Sequence, residues 1–327
     1  MMRFLRCNLR AALLCTMALA GLPAHAQGWP TKPVTLVNPF APGGGVDAFG
    51  RPLSVILSKN LGTQFIVENM AGAGGTVGAA SAAKRHADGY TFFLGAVHHT
   101  IAESLYTKLP YSLEKDFVPI TVLAYVPNVV VVHPKHTNLN SIKDLIAYAK
   151  ANPGKLNYGS AGNGTTHHLA GELFKTMAGV NLTHIPYGGA GPMMKDLIAG
   201  QVDMAFDGMS TSAPQIKAGR LKALAVTTTN RSFVDPSVPT MQEAGLPGYV
   251  VTTWYALWGI HGTPKEALDR MHQETLKAMQ SDELKKVWEA QGATAGGESP
   301  GEFAKLIKTE IAKWAKVVKD AGAKVDN

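Results

Sequence analysis

Strand-like and helix-like runs alternate along this chain. Residues 34–37 (Val-Thr-Leu-Val) read as a strand, and Val46, Phe49, Leu53, Ile56 and Leu57 then recur at the spacing of a helix with one buried face. Between them lies Asn38-Pro39-Phe40-Ala41-Pro42-Gly43-Gly44-Gly45-Val46-Asp47, a loop rich in glycine and proline. Pro52 has no N–H to give to a helix interior, so it is expected to distort that helix or limit its regular part. A strand over 64–68, a glycine run at Gly72-Ala73-Gly74-Gly75-Thr76-Val77-Gly78, a helix of small residues to about His86 and a strand over 90–94 follow. This alternation predicts α/β layers with a mainly parallel sheet.

The pattern then repeats. Val129-Val130-Val131-Val132 reads as a buried strand, and Ser141 should cap a helix with Ile142, Leu145, Ile146 and Ala149 on one face, stopped by Asn152-Pro153-Gly154. A second glycine loop of the first kind, Tyr158-Gly159-Ser160-Ala161-Gly162-Asn163-Gly164-Thr165-Thr166, opens a helix with Leu169, Ala170, Leu173, Phe174 and Met177 inward and Gly179 at its end. A helix over 193–199 closed by Gly200 and strands over 202–206 and 223–227 complete a second α/β block. The tail predicts two amphipathic helices, 265–279 and about 300–319, the latter with Phe303, Leu306, Ile307, Ile311, Trp314 and Val318 on one core stripe. No repeat and no low-complexity linker divides the blocks, so two domains joined by strands that cross between them are expected.

Both loops can aim bare backbone N–H groups at an anion. A helix start has unpaired donors and a partial positive charge, and glycine lets a ligand approach the backbone. Two such loops, about 120 residues apart, suggest one small anion held from two sides.

The N-terminus limits the chemistry further. Arg3, Arg6 and Arg10, the apolar run 11–20 and Ala24-His25-Ala26 form the pattern of a secretory signal, with cleavage expected after Ala26. The apolar run is too short to span a membrane. Both cysteines, Cys7 and Cys15, fall in the segment to be removed, so disulfides, thiolate catalysis and cysteine metal sites are not expected. Loss of those 26 residues with their three arginines reduces the formal charge from +7 to +4 on 301 residues, a size suited to two domains. Lys305, Lys308, Lys313, Lys316 and Lys319 gather on the last helix, which reads as a solvated face rather than a nucleic-acid surface.

Enzyme readings fit poorly. Gly45-Val46-Asp47-Ala48-Phe49-Gly50 has the spacing of a phosphate loop but is followed by Arg51-Pro52 instead of Lys and Ser or Thr, and the run from Gly72 to Gly78 has one residue too many for G-x-G-x-x-G. Neither Gly159-Ser160-Ala161-Gly162 nor Gly208-Met209-Ser210-Thr211-Ser212 is a nucleophile elbow, so Ser160 reads as a hydroxyl donor to a ligand. The pairs His98-His99 and His167-His168 do not present two ligands to one ion, and His167 and His168 read as surface or helix-start residues. For His98, a ligand-facing role and a structural one stand level. Asp47, near a helix start, is a dipole partner or a ligand contact, and Asp207, at the end of a strand, could accept a ligand hydroxyl or amine.

The ordered motifs resemble the Bug (TctC-type) periplasmic substrate-binding proteins of tripartite tricarboxylate transporters. They are the first loop from Asn38 to Asp47, Glu68-Asn69 with Gly72-Ala73-Gly74-Gly75, Asp88-Gly89-Tyr90-Thr91, Tyr158-Gly159-Ser160-Ala161-Gly162, Pro186-Tyr187-Gly188-Gly189, Asp196 to Asp207, and Pro239 to Gly248. The sequence departs from the usual pattern at the third glycine, Gly45, and at Phe49-Gly50-Arg51-Pro52. The resemblance implies a two-domain α/β fold of the periplasmic binding type (type II-like, a Venus flytrap), with residues 27–125 and 248–327 in one domain and 126–247 in the other. It implies a carboxylate held by the loop from Phe40 to Asp47, with Phe40, Ala41, Gly44, Gly45 and Asp47 on one side. Ser160, Ala161, Gly162, Thr165, Thr166, Tyr187 and Asp207 face it from the other. His98, Ala161, Thr166 and Asp207 are the candidates for specificity. The expected protein is a periplasmic monomer without catalysis, cofactor, metal or nucleic acid. Its partners would be a small carboxylate (dicarboxylate, tricarboxylate, amino acid or aromatic acid) and the membrane subunits of a transporter; a ligand sensor for a signalling receptor and a secreted hydrolase or isomerase are the alternatives.

Overall fold

The computed structural model describes residues 28–320, so the expected signal peptide and its cleavage after Ala26 lie outside the described residues. Strand β1 (Val34–Asn38) leads through the first glycine loop into α1 (Gly45–Leu61), and β2 (Phe65–Asn69) returns beside β1 in parallel. Val46, Phe49, Leu53, Ile56 and Leu57 are all buried, as their spacing predicts. Helix α1 runs through Pro52 without a break, so the proline does not end it. The carbonyl of Ala48, which the proline deprives of a donor, belongs to a half-exposed residue, and Pro52 is half-exposed too, so water can replace the lost bond.

The chain continues through α2 (Thr76–Ala83), β3 (Thr91–Ala96), α3 (His98–Leu105) and α4 (Leu113–Asp116) into β4 (Phe117–Val132). A second block follows: α5 (Ile142–Ala151), β5 (Asn157–Ser160), α6 (Thr166–Ala178), β6 (Thr183–Pro186), α7 (Ala190–Ile198), β7 (Met204–Gly208), α8 (Met209–Lys217) and β8 (Lys222–Val226). Then β9 (Thr252–Ile260), α9 (Lys265–Met279), α10 (Asp282–Glu289), β10 (Thr294–Ala295) and α11 (Pro300–Asp320) complete it.

Strand order along the hydrogen-bonded path is β2-β1-β3-β9-β4-β7-β5-β6, with β8 and β10 also paired to β4. Two parallel triplets, one of β1, β2 and β3 and the other of β5, β6 and β7, are therefore linked by antiparallel strands. From Phe117 to Pro127, β4 pairs with β9; from Asn128 to Val132 it pairs with β7 and β8. One strand thus belongs to both lobes. Where the chain crosses back, Thr227 N–H donates to Asn128 O at 2.9 Å, and Thr253 Oγ1 donates to Asn128 Oδ1 at 2.8 Å.

The largest buried cluster runs through both lobes, from Phe49 and Leu257 to Met193 and Ala205, and each lobe also has a cluster largely its own. In the second, Val130, Val132, Phe174, Phe206 and Tyr249 are buried together. In the first, α11 lays Phe303, Ile307, Trp314 and Val318 against Trp254 and Trp258, with Leu306 and Ile311 at the margin. Burying side chains of that size yields on the order of 1.5–3 kcal/mol each, which holds the β9 ladder and the last helix as one rigid wall.

Candidate functional site

Both glycine loops leave the C-terminal ends of their parallel strands and meet between the lobes. Phe40, Gly44, Gly45, Val46, His98, Ala161, His167, Ala190 and Tyr255 enclose a cavity of about 10 Å³, the space of about one water. Four helices begin at its wall: α1 at Gly45, α3 at His98, α6 one residue before His167, and α7 at Ala190. Their first N–H groups have no partner within the helix, and the four helix dipoles place positive potential on one point. No Lys or Arg is on that wall.

Asp47 organises the first loop from within. Its Oδ1 accepts from Asn38 Nδ2 at 2.8 Å and Asn69 Nδ2 at 3.2 Å, and its Oδ2 accepts from Gly43 N–H at 2.8 Å and Arg51 Nε at 2.9 Å. Burial pushes its carboxyl up, but the bonds from Arg51, Gly43 and Asn69 outweigh burial and hold it below its ordinary value. A carboxylate with four donors has little capacity left for a ligand. The loop it shapes keeps Phe40 N–H on Asn38 Oδ1 and leaves the N–H groups at the start of α1 free.

Gly45 has a steric cause. An ideal Cβ there would stand 1.9 Å from the Tyr255 hydroxyl, so the third glycine makes room for a ring that stacks on Phe49 at 4.9 Å.

In the second loop the Ser160 hydroxyl is engaged by His184 Nε2 at 2.7 Å and accepts from Gly162 N–H at 3.1 Å. Thr165 Oγ1 donates to Gly162 O at 2.7 Å and accepts from His168 N–H, capping α6. These side chains shape the loop, while Ala161 reaches the cavity. Tyr187 is half-buried and donates to Asp196 Oδ2 at 2.8 Å.

His98 joins the lobes. Thr166 N–H donates to its Nδ1 at 3.1 Å, and Thr166 Oγ1 lies 2.7 Å from Thr253 Oγ1. With Nδ1 an acceptor, a neutral ring has its proton on Nε2. Burial, with His167 and His99 nearby, pushes His98 well below the usual histidine range.

Asp207, at the end of β7, is wholly buried and accepts from Thr211 and Ser212 on Oδ2, with Ser212 Oγ at 2.6 Å. Its Oδ1 faces His167 Nδ1 at 3.4 Å. His167 sits at the start of α6, as expected of a helix-start histidine, but it is only 2 % exposed and not at the surface. Sequence reasoning did not select His167, Val46, Ala190 or Tyr255. A helix-start histidine beside a glycine loop was the available signal for His167; Tyr255 had none, since it comes to the loops through the pairing of β9 with β3 and β4, elements far from it in sequence.

The lobes are closed on each other. Ala41 N–H donates to Gly188 O at 3.1 Å, and Tyr106 Oη reaches both Ala73 O at 2.8 Å and Asn163 O at 3.3 Å. Gly74, in the left-handed region at φ 64°, lies where an ideal Cβ would be 2.0 Å from Asn163 O, so the glycine run near Gly72 serves lobe contact. Among the described residues no group of His, Cys, Asp and Glu could hold a metal ion.

Architecture and site together define a two-domain periplasmic binding protein. Rpa4515 of R. palustris, solved with adipate, is 39% identical and has a TM-score of 0.87, with 91% of this chain and 100% of that one covered. Periplasmic binding protein BugD is 33% identical with a TM-score of 0.88, over 91% of this chain and 100% of its own. MatC of Rhodopseudomonas palustris, solved with bound malate, is 32% identical with a TM-score of 0.85, over 89% of this chain and 100% of that one. Residues 50–323 match the tripartite tricarboxylate transporter family receptor, TctC. The chain belongs to that family of solute-binding proteins.

Proposed function

We propose that this protein captures a small organic carboxylate between its lobes in the periplasm and delivers it, chemically unchanged, to the membrane subunits of a tripartite transporter. The observation that carries this reading is the convergence of four helix N-termini on one small cavity between the lobes without a basic side chain. Such a site stabilises an anion through fixed N–H dipoles and needs no counter-charge to be desolvated. In this reading the N–H groups from Gly44 to Asp47 and the Nε2 of His98 donate to one carboxylate. Phe40, Ala161 and Tyr255 exclude water around it, and Gly162, Thr165, Thr166 and Asp207 hold the opposing wall. The adipate and malate of the two relatives support the choice of ligand class.

A cavity of about 10 Å³ cannot take such an acid without movement. The lobes must part and close again around it, with β4 and β9 as the flexing link, and we place the domain limits at 27–125 with 248–327 and at 126–247. Calorimetric titration with adipate, malate, citrate, glutamate and benzoate tests the reading. One-to-one binding of at least one acid, recovered intact afterwards, is expected; no heat from any of them in folded protein would overturn it.

A further inference from the structure

The polar atoms left over at the floor of the cavity concern ligand choice. Neither ring nitrogen of His167 has a hydrogen-bond partner, although the residue is buried. Leaving such a group unpaired costs on the order of 1–3 kcal/mol, so its presence on the cavity wall needs a reason. Asp207 Oδ1 lies 3.4 Å from Nδ1. A neutral ring therefore has its proton on Nδ1, facing the carboxylate, because the other tautomer would set a lone pair against a carboxylate oxygen. That leaves Nε2 as a bare acceptor.

The surroundings of Nε2 point the same way. An ideal Cβ on Gly208 would lie 3.4 Å from Ser210 Oγ, 3.7 Å from Tyr255 Oη and 3.9 Å from His167 Nε2, so these three polar atoms gather at one spot. Ser210 Oγ is buried there beside the Tyr255 hydroxyl. The His98 ring, whose Nε2–H is a donor, is centred 6.2 Å from the His167 ring. One wall thus offers a donor and the other an acceptor, on rings centred 6.2 Å apart.

We propose that His167 sets ligand preference: its Nε2 accepts a hydrogen bond from a hydroxyl or ammonium group next to the bound carboxylate, favouring 2-hydroxy and 2-amino acids over unsubstituted ones. The sequence position of Asp207 suggested that it would accept this bond itself; instead Thr211 and Ser212 occupy one oxygen and His167 stands in front of the other. The inference rests on the carboxylate-binding reading above. A site with a buried acceptor discriminates strongly against an analogue that leaves the acceptor unpaired.

Titration of the purified protein with three matched sets, succinate with malate and aspartate, glutarate with 2-hydroxyglutarate and glutamate, and adipate with 2-aminoadipate, tests it. In at least one set the substituted acid should bind ten-fold or more tighter than the plain one. In His167→Phe that preference, read as the ratio of the two affinities, should fall below about three-fold, and His167→Gln, which restores an acceptor, should recover part of it. Repeating the titration at pH 7 in buffers of different ionisation enthalpy should show no proton uptake. A preference for the plain acid, a preference that survives His167→Phe, or uptake of about one proton, which would make His167 a cationic donor, overturns the proposal and leaves carboxylate capture standing. No binding of any acid in the three sets by folded protein overturns this proposal, and silence from citrate and benzoate as well overturns carboxylate capture with it.

Discussion

A Cβ added at Gly45 would fall 1.9 Å from the Tyr255 hydroxyl and 2.5 Å from its Cζ, so Gly45→Ala must displace the ring or the start of α1. Overpacking of this kind costs about 1–3 kcal/mol. The ring caps the cavity, so affinity for the bound acid should fall by at least ten-fold in a calorimetric titration, with a smaller effect on melting temperature. Gly44 differs. Its backbone, at φ −91°, suits any residue, and an ideal Cβ would sit 3.5 Å from Ala190 N, in ordinary contact across the closed lobes. The branches of Gly44→Val extend beyond that point and should oppose closure. Binding should weaken while the unfolding midpoint stays within a degree or two, and unchanged affinity would show that the loop does not hold the ligand. Asp47→Ala should loosen the same loop. Because its carboxyl is held below the ordinary 3.8, it stabilises the fold above that pH, and the contribution is lost as pH falls through the lowered value. In urea unfolding between pH 2 and 5, the variant should lose less stability on acidification than the wild type. Gly44, Gly45, Phe40, Ala161 and His98 could be named in advance because they stand in or beside strand-to-helix loops. Tyr255 could not, because its place depends on a pairing about 160 residues distant from Ala96 in sequence to the first lobe.

The elements explain why boundaries were harder to read than types. Helix α5 begins where Ser141 predicts, with its hydroxyl accepting from Asp144 N–H at 3.1 Å, and α6 begins at the Thr165 cap. Thr165→Ala removes the α6 cap and its bond to Gly162 O, and should cost about 1 kcal/mol, read as a lower urea midpoint at constant slope. Helix α3 begins at His98 after Val97, whose side chain cannot cap it, so nothing in the local sequence announces it. The same holds for the first two-thirds of β4. Pro119 and Pro127 argue against a strand interior, yet irregular register near Pro119 admits one, and pairing with β9 decides the matter. The stripe of α11 was legible because Phe303, Ile307, Trp314 and Val318 meet one wall at helical spacing.

At the scale of the whole molecule, closure and buried histidines should dominate the response to ligand and pH. A ligand that bridges the lobes should raise stability by about 2.7 kcal/mol at a hundred times its Kd, and small-angle scattering should show the radius of gyration of an open, unliganded population decrease on addition of the acid. Burial lowers His98, His99 and His167, with His99 brought down to about 4 and His184 to about 3. Each remains neutral in the folded chain where the unfolded chain takes up a proton. Stability from these groups is therefore present above the ordinary 6.5 and declines as pH falls from there towards the lowered values. Urea midpoints should be flat from pH 8 to 7 and fall progressively from 6.5 to 4, and His99→Phe should reduce the slope. By itself the sequence determined the alternation of strands and helices, the two glycine loops and their capacity for an anion, because these follow from local periodicity, missing side chains and unpaired N–H groups. Only the tertiary structure decided that four helix starts meet at one point, that Asp47 and Ser160 serve their own loops, and that His167 stands between Asp207 and the cavity. Those facts depend on how a strand shared by two lobes brings distant segments together, and no local pattern encodes such a distance.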